Sequence, residues 1–358
     1  MSCYIPVGKI DEGTYGEVFA ATDARSGARF ALKKVKMGAV LANEGFPITA
    51  LRETNLLLSL GRPQPHPNIV SVREMVVGSS LDKVYMVMEM MEHDLKAALG
   101  AMRGALSQAE VKCLLQQLLA GVAHLHARWV IHRDLKPSNL LLDNAGRLVI
   151  CDFGMARSYG QPLRSYTQPV VTLWYRAPEL LLGATHYGPP VDVFACGAIF
   201  AELLTRRPLF RTASGAEGEM LGLVFALLGT PTEESWPSWA SLSAAQGLRF
   251  KPRPPASLRG ALGLAGGAGG GLGGGATTAI SDAGLDLLRG MLTLDPAQRI
   301  SAAEALSHRW FAKSPPPCDP RLMPSLPSTA DCKVAKNTAR GGAGAGGASP
   351  PLPMREAE

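Results

Sequence analysis

The chain has 358 residues, 46% of them hydrophobic and 18% charged, with a formal net charge of +6. This supports one large domain or two modest ones around a sizeable core and excludes global disorder. The mild basic balance contains no dense Lys/Arg run, so a phosphate ligand or an acidic partner is compatible with it and direct nucleic-acid binding is not implied.

Taken in chain order, residues 1–10 (MSCYIPVGKI) carry no apolar core long enough for a signal peptide. The next eighty or so residues alternate β-like runs, EVFAATD, RFALKKV and VYMVMEM, with turns. Within IDEGTYGEV, Gly13 and Gly16 would let a hairpin close over phosphates, because a residue without Cβ permits close backbone approach. Lys33, in FALKKV, has apolar flanks and needs a partner to stay charged if buried. The segment EGFPITALRE predicts a helix, since Pro47 suits a first turn. At about 100° per residue, Ile48 and Leu51 point one way while Glu53, Leu57 and Leu60 point the other, so a carboxylate turns inward with a leucine stripe and two aliphatics turn outward.

From EHDLKAAL onward the pattern is helical: AEVKCLLQQLLAGVAHLHARWV, GAIFAELLT and AGLDLLRGMLT repeat apolar residues at three and four. A division near Met91 therefore separates a small β-rich part from a larger helical one. Residues 191–204, VDVFACGAIFAELL, are too short to span a membrane and carry Asp192 and Glu202. The six cysteines show neither CxxC pairing nor metal-ligand spacing, so free thiols in a reducing compartment are expected of a soluble intracellular protein. Residues 261–278 are Gly/Ala-rich and are expected to form a flexible insert, and the Pro/Gly-rich stretch 312–358 a disordered tail.

The chemistry concentrates in VIHRDLKPSNLLL and ICDFGMAR, which bring together an acid, a cation, an amide and a second acid. In a phosphoryl-transfer set Asp134 accepts the hydroxyl proton, Lys136 steadies the γ-phosphate, and Asn139 and Asp152 hold Mg²⁺. No GxxxxGK[ST] occurs, so a P-loop is excluded.

These residues resemble the eukaryotic protein kinases over residues 4–311, with Ala177-Pro178-Glu179, Arg299 and Asp192 at matching places. The resemblance implies an α+β, bilobal kinase fold: a β-rich N-lobe (4–90) with one regulatory helix and a larger, mainly helical C-lobe (91–311). FPITALRE looks like the signature helix of cyclin-dependent kinases, and VVGSSLDKVYMVMEMMEHDLKAAL with ISDAGLDLL is most similar to the PITSLRE kinases and their plant G-type relatives. Ala50 also resembles the transcription-elongation branch. The family pattern implies an ATP site from Ile10, Asp11, Glu12, Gly13, Thr14, Tyr15, Gly16, Glu17 and Val18 in the glycine loop. Ala31, Met88 and Leu141, with the Glu89 and Met91 backbone, complete the adenine pocket; Lys33 pairs with Glu53, and Thr172 joins the catalytic set. Arg52, Arg133 and Arg157 would receive a phosphate on Thr167, and Thr14 and Tyr15 are places for inhibitory phosphates. Val170, Val171 and Arg176 resemble the segment that favours proline after the acceptor Ser or Thr.

A cyclin, L-type by this likeness, would cover Ile48 and Leu51. The same likeness implies a nuclear location and work in transcription, pre-mRNA splicing or cell-cycle regulation. Three departures stand out: Asp11 replaces the first loop glycine, Phe194-Ala195 replaces Trp-Ser, and FRTASGAEGEML lacks the usual Pro-Gly and acidic pattern. None removes a catalytic group, so a pseudokinase scaffold is the weaker alternative.

Overall fold

The structure is a computed structural model that describes residues 4–13, 16–35, 48–78, 83–159, 173–237, 239–242, 244–245, 249–264, 278–341 and 355–356. The chain forms two compact units. Residues 1–98, 141–154 and 324–358 make the first, and 99–140 with 155–323 the second.

In the first unit five strands, β1 (Tyr4–Gly13), β2 (Gly16–Asp23), β3 (Arg29–Lys34), β4 (Val72–Val77) and β5 (Val84–Glu89), form an antiparallel sheet in the order β1-β2-β3-β5-β4. Residues Arg355–Glu356 extend the β4 edge. Side chains alternate between faces along a strand. Leu32 joins Tyr4, Ala21, Val76, Tyr85 and Val87 in the core, which leaves Ala31 and Lys33 on the opposite face. The register carries that second face across the sheet: Val18, Lys33 and Met86 stand abreast, as do Ala20, Ala31 and Met88. Gly16 closes the β1–β2 hairpin at φ +149°, where an added Cβ would lie 2.6 Å from the Lys34 carbonyl oxygen. Only glycine fits there.

Helix α1 (Ile48–Leu60) follows the angular arithmetic of its sequence. Leu57 and Leu60 are buried, while Leu51 is 43% exposed. Leu58, one turn pair further along the same face, is also exposed, so the outward stripe is longer than the sequence reading allowed.

The second unit is built on helices α2 (Gln108–Ala127), α3 (Pro190–Thr205), α4 (Glu217–Leu228) and α5 (Asp282–Met291). A reciprocal cap between Ser107 and Glu110 starts α2. Helix α3 is buried from Val191 to Leu204, as a helix apolar on all sides must be. Trp310, fully buried, packs on Phe200 at 4.9 Å between ring centroids. Among the described residues no helix is long and apolar enough to cross a membrane.

Two expectations are corrected. The division does not fall at Met91. The short strand His93–Asp94 pairs with Leu141–Leu142, Ile69 bridges Ile150, and Asn68 donates to the Leu148 carbonyl at 2.7 Å, so the segment 141–154 belongs to the first unit with residues 91–98. The stretch after Phe311 is not a featureless tail either. The buried Lys112 ammonium donates to the carbonyls of Lys313 (2.5 Å) and Pro315 (2.6 Å), and helix α6 (Thr329–Gly341) docks on the first unit with Ala330 and Val334 buried. Of the expected Gly/Ala insert, Ala261 ends a short helix and Thr278 is buried, donating to the Leu106 carbonyl at 2.5 Å, while 265–277 lie outside the described residues.

Candidate active site

The first unit holds a charged triad and an apolar cradle on one face of its sheet. The Lys33 ammonium donates to Glu53 Oε1 at 2.6 Å and to Asp152 Oδ1 at 3.2 Å, and all three side chains are at most one-fifth exposed. Burial by itself would strip the lysine of its proton. The carboxylates of Asp152 and Glu53 outweigh burial and hold its pKa above the ordinary lysine value. The Oδ2 of Asp152 has no protein partner among the described residues. Its backbone sits at φ +64°, a left-handed conformation that costs energy in a non-glycine residue. Cys151 is half-buried, and its thiol is pushed up chiefly by desolvation.

On the same face Val18 and Met88 are half-buried and Ala31 is buried; Ile10 and Leu141, which complete the expected apolar cradle, are half-buried as well. Met91 is buried, and Glu89 is fixed by Arg147, whose guanidinium reaches Glu89 Oε2 at 2.6 Å and Asp143 Oδ2 at 3.1 Å. Sequence reasoning missed Arg147. It also missed that Glu12 and Glu17 have side chains committed to Lys9 (2.6 Å each), with Lys34 closing on Glu17 at 3.0 Å. Any contact these loop acids make to a phosphate is therefore a backbone matter.

The second unit holds the loop His132–Asn139. Asp192, buried on α3, anchors it: Oδ2 accepts the His132 amide (2.8 Å), Oδ1 accepts the Arg133 amide (2.8 Å), and His126 Nε2 lies 3.0 Å from Oδ2. Burial disfavours the Asp192 charge, yet the hydrogen bond and charge of His126 prevail and its pKa is lowered. So held, the loop passes through φ +68° at Arg133 and presents Asp134. Asp134 Oδ2 accepts from Lys136 Nζ at 2.8 Å and from Asn139 Nδ2 at 3.0 Å, and the same amide nitrogen reaches the Asp134 carbonyl at 2.8 Å. Asp134 Oδ1 and Asn139 Oδ1 are left without a protein partner among the described residues. A carboxylate with one oxygen pinned and the other open is the geometry of a proton acceptor.

Behind this loop the buried Arg299 holds Glu179 through both carboxylate oxygens, at 2.7 and 3.0 Å. Its guanidinium lies 5.2 Å from the Phe194 ring centroid, and Phe194 stacks on Phe210. The Phe194 departure therefore keeps an aromatic under the arginine. Arg133 donates to the Met155 carbonyl (2.7 Å) and the Tyr187 hydroxyl (2.6 Å), a tyrosine the sequence did not single out, while Arg157 bonds the Ala156 carbonyl and Arg52 is exposed. Arg176 pairs with Glu217 at 3.4 Å. Thr14, Tyr15, Thr167, Val170, Val171 and Thr172 lie outside the described residues, as does the side chain of Ile48.

Residues 4–311 match the protein kinase domain family. The chain belongs to the protein kinase family, on the branch of the cyclin-dependent kinases. It is 51% identical over 320 residues to cyclin-dependent kinase G-2 of Oryza sativa subsp. indica, covering 89% of this chain and 43% of that one. It is 47% identical over 328 residues to cyclin-dependent kinase 11B of Homo sapiens (92% and 38% covered) and 44% identical over 328 residues to cyclin-dependent kinase 11B of Rattus norvegicus (92% and 70%). The chain thus spans about two fifths of the length of the first two relatives. The fold expectation, a bilobal kinase of α+β class, agrees with this family.

Proposed function

We propose that this chain, with a cyclin bound, is an active serine/threonine kinase that transfers the γ-phosphate of ATP to Ser or Thr followed by Pro, on nuclear proteins of transcription or pre-mRNA splicing. The observation that carries the reading is the half-pinned Asp134 carboxylate, with Oδ2 held by Lys136 and Asn139 and Oδ1 open. Asp134 Oδ1 takes the proton of the acceptor hydroxyl as its oxygen bonds to the γ-phosphorus and the bond from that phosphorus to the β–γ bridging oxygen breaks, with ADP as the leaving group. Lys136 steadies the transferred phosphate, and Lys33, oriented by Glu53, holds the α/β-phosphates. Asn139 Oδ1 and the Asp152 carboxylate would hold magnesium, which proteins usually bind through one or two oxygen ligands beside the substrate's phosphates. Magnesium supplies charge neutralisation across those phosphates.

The cyclin is supported by the exposed Leu51 and Leu58 on α1, an aliphatic stripe beside the Glu53 that Lys33 needs. An L-type cyclin and a nuclear location are the readings favoured by likeness to the PITSLRE kinases. The experiment is transfer from Mg-ATP by the chain co-purified with an L-type cyclin to paired peptides carrying Ser-Pro and Ser-Ala. The reading predicts transfer to Ser-Pro at a rate at least about tenfold above Ser-Ala. No transfer to either peptide overturns it.

A further inference from the structure

Residues after Leu326 wrap the segment that follows β5, then cross β1. The carbonyl of Glu92 accepts from the Ala330 amide (3.0 Å), the Thr329 hydroxyl (3.1 Å) and the Ser328 hydroxyl (3.5 Å). His93 Nδ1 accepts from the Thr329 amide at 3.3 Å, which leaves Nε2 to donate to Asn144 Oδ1 at 3.0 Å. Helix α6 then lies on the sheet through Ala330 and Val334, one turn apart on its buried face. Its polar flank makes three long-range ties: Asp331 to Arg29 of β3, Lys333 Nζ to Asp94 Oδ2 at 2.9 Å, and Asn337 Nδ2 to the Lys9 carbonyl at 2.9 Å. Lys9 immediately precedes the cradle residue Ile10, and Glu92 immediately follows the buried Met91, so one segment grips the neighbours of both. All of these groups belong to the first unit.

We propose that Leu326–Asn337 is a working part of the nucleotide site: a strap whose Lys333 and Asn337 are positioning residues that fix the spacing between β1 and the segment after β5, and so set affinity for the adenine nucleotide. A packing role alone would be met by Ala330 and Val334. Two of the three polar ties instead fall on the backbone of β1 and on Asp94, next to the cradle residues Ile10 and Leu141. The inference rests on the nucleotide-binding reading above.

The test uses the full chain and two measurements, isothermal titration with Mg-ADP and steady-state kinetics of the cyclin complex. In the Lys333→Ala, Asn337→Ala double variant the dissociation constant for Mg-ADP and the KM for ATP rise about five- to tenfold, as expected for loss of one partly buried ion pair and one hydrogen bond. The KM for the peptide stays at the parental value, and kcat changes less than KM for ATP. Restoring the cation with Arg at 333 recovers part of the affinity, while Lys336→Ala, on the exposed face, moves neither constant. Unchanged nucleotide constants in the double variant, with or without a lowered melting temperature, would overturn the strap while leaving the kinase reading standing. A parent chain that binds no Mg-ADP would overturn both.

Discussion

At the scale of single residues, the site rests on buried charges that are each over-determined by partners. Asp192 is the clearest case, because its two carboxylate oxygens accept from two consecutive loop amides and a histidine. Replacing it with Asn removes one acceptor and points an N–H₂ at an N–H, and hydrogen bonds to charged groups contribute about 1.5–3 kcal/mol each. Asp192→Asn is therefore expected to lower unfolding stability by about 2–4 kcal/mol at pH 7, measured by urea denaturation. Because the folded pKa lies below the ordinary carboxylate value, this contribution is fully present above about pH 4 and fades as pH falls through the folded pKa. The gap between parent and variant should accordingly narrow in acid. The sign is opposite at Lys33, whose raised pKa keeps its contribution present throughout the neutral range and removes it only above the ordinary lysine value. Asp134, Lys136, Asn139 and Asp152 were legible in the sequence because the chemistry needs those groups at short spacing. His126 and Arg147 were not, since each acts on a residue far along the chain, which spacing cannot reveal.

At the scale of elements, α1 was readable from periodicity alone: Leu57 and Leu60 turn inward, Leu51 outward, and Glu53 reaches Lys33. Leu51→Glu should abolish capture of a cyclin in pull-down and leave the melting temperature of the isolated chain within about 2 °C, since an exposed position carries little folding energy. Undiminished capture would remove α1 as the docking face. Helix α6 was invisible to the same method. In its sequence, TADCKVAKNTARG, only Ala330 and Val334 are buried among the described side chains, too few for an apolar stripe to stand out. Such a helix is selected by docking on β1 and by ties to Lys9, Arg29 and Asp94 rather than by its own pattern. The division at Met91 erred for a related reason, because a return of residues 141–154 to the first unit depends on strand pairing across distant sequence.

At the scale of the whole molecule, the family match ends at Phe311 but the structural dependence does not. Lys112, buried within α2 and stacked over Trp310 at 5.1 Å, finds its hydrogen-bond acceptors among the described residues at Lys313 and Pro315. Burial already lowers its pKa, so losing those carbonyls leaves an uncompensated cation. A chain ended after Phe311 should unfold about 1–3 kcal/mol more easily than one ended after Gly341, with part of the loss recovered by Lys112→Met. Equal denaturation midpoints for the two chains would show the segment to be dispensable. The proposed reaction is the broader matter, because it calls on Lys33, Glu53 and Asp152 of the first unit and on Asp134, Lys136 and Asn139 of the second. The most direct measurement is the single-turnover rate of phosphate transfer from Mg-ATP to a Ser-Pro peptide by the cyclin complex of the parent and of Asp134→Asn. With the proton acceptor gone the rate should fall by about 10²–10⁴, with nucleotide affinity retained. An Asp134→Asn complex that transfers phosphate at the parental rate would contradict the account.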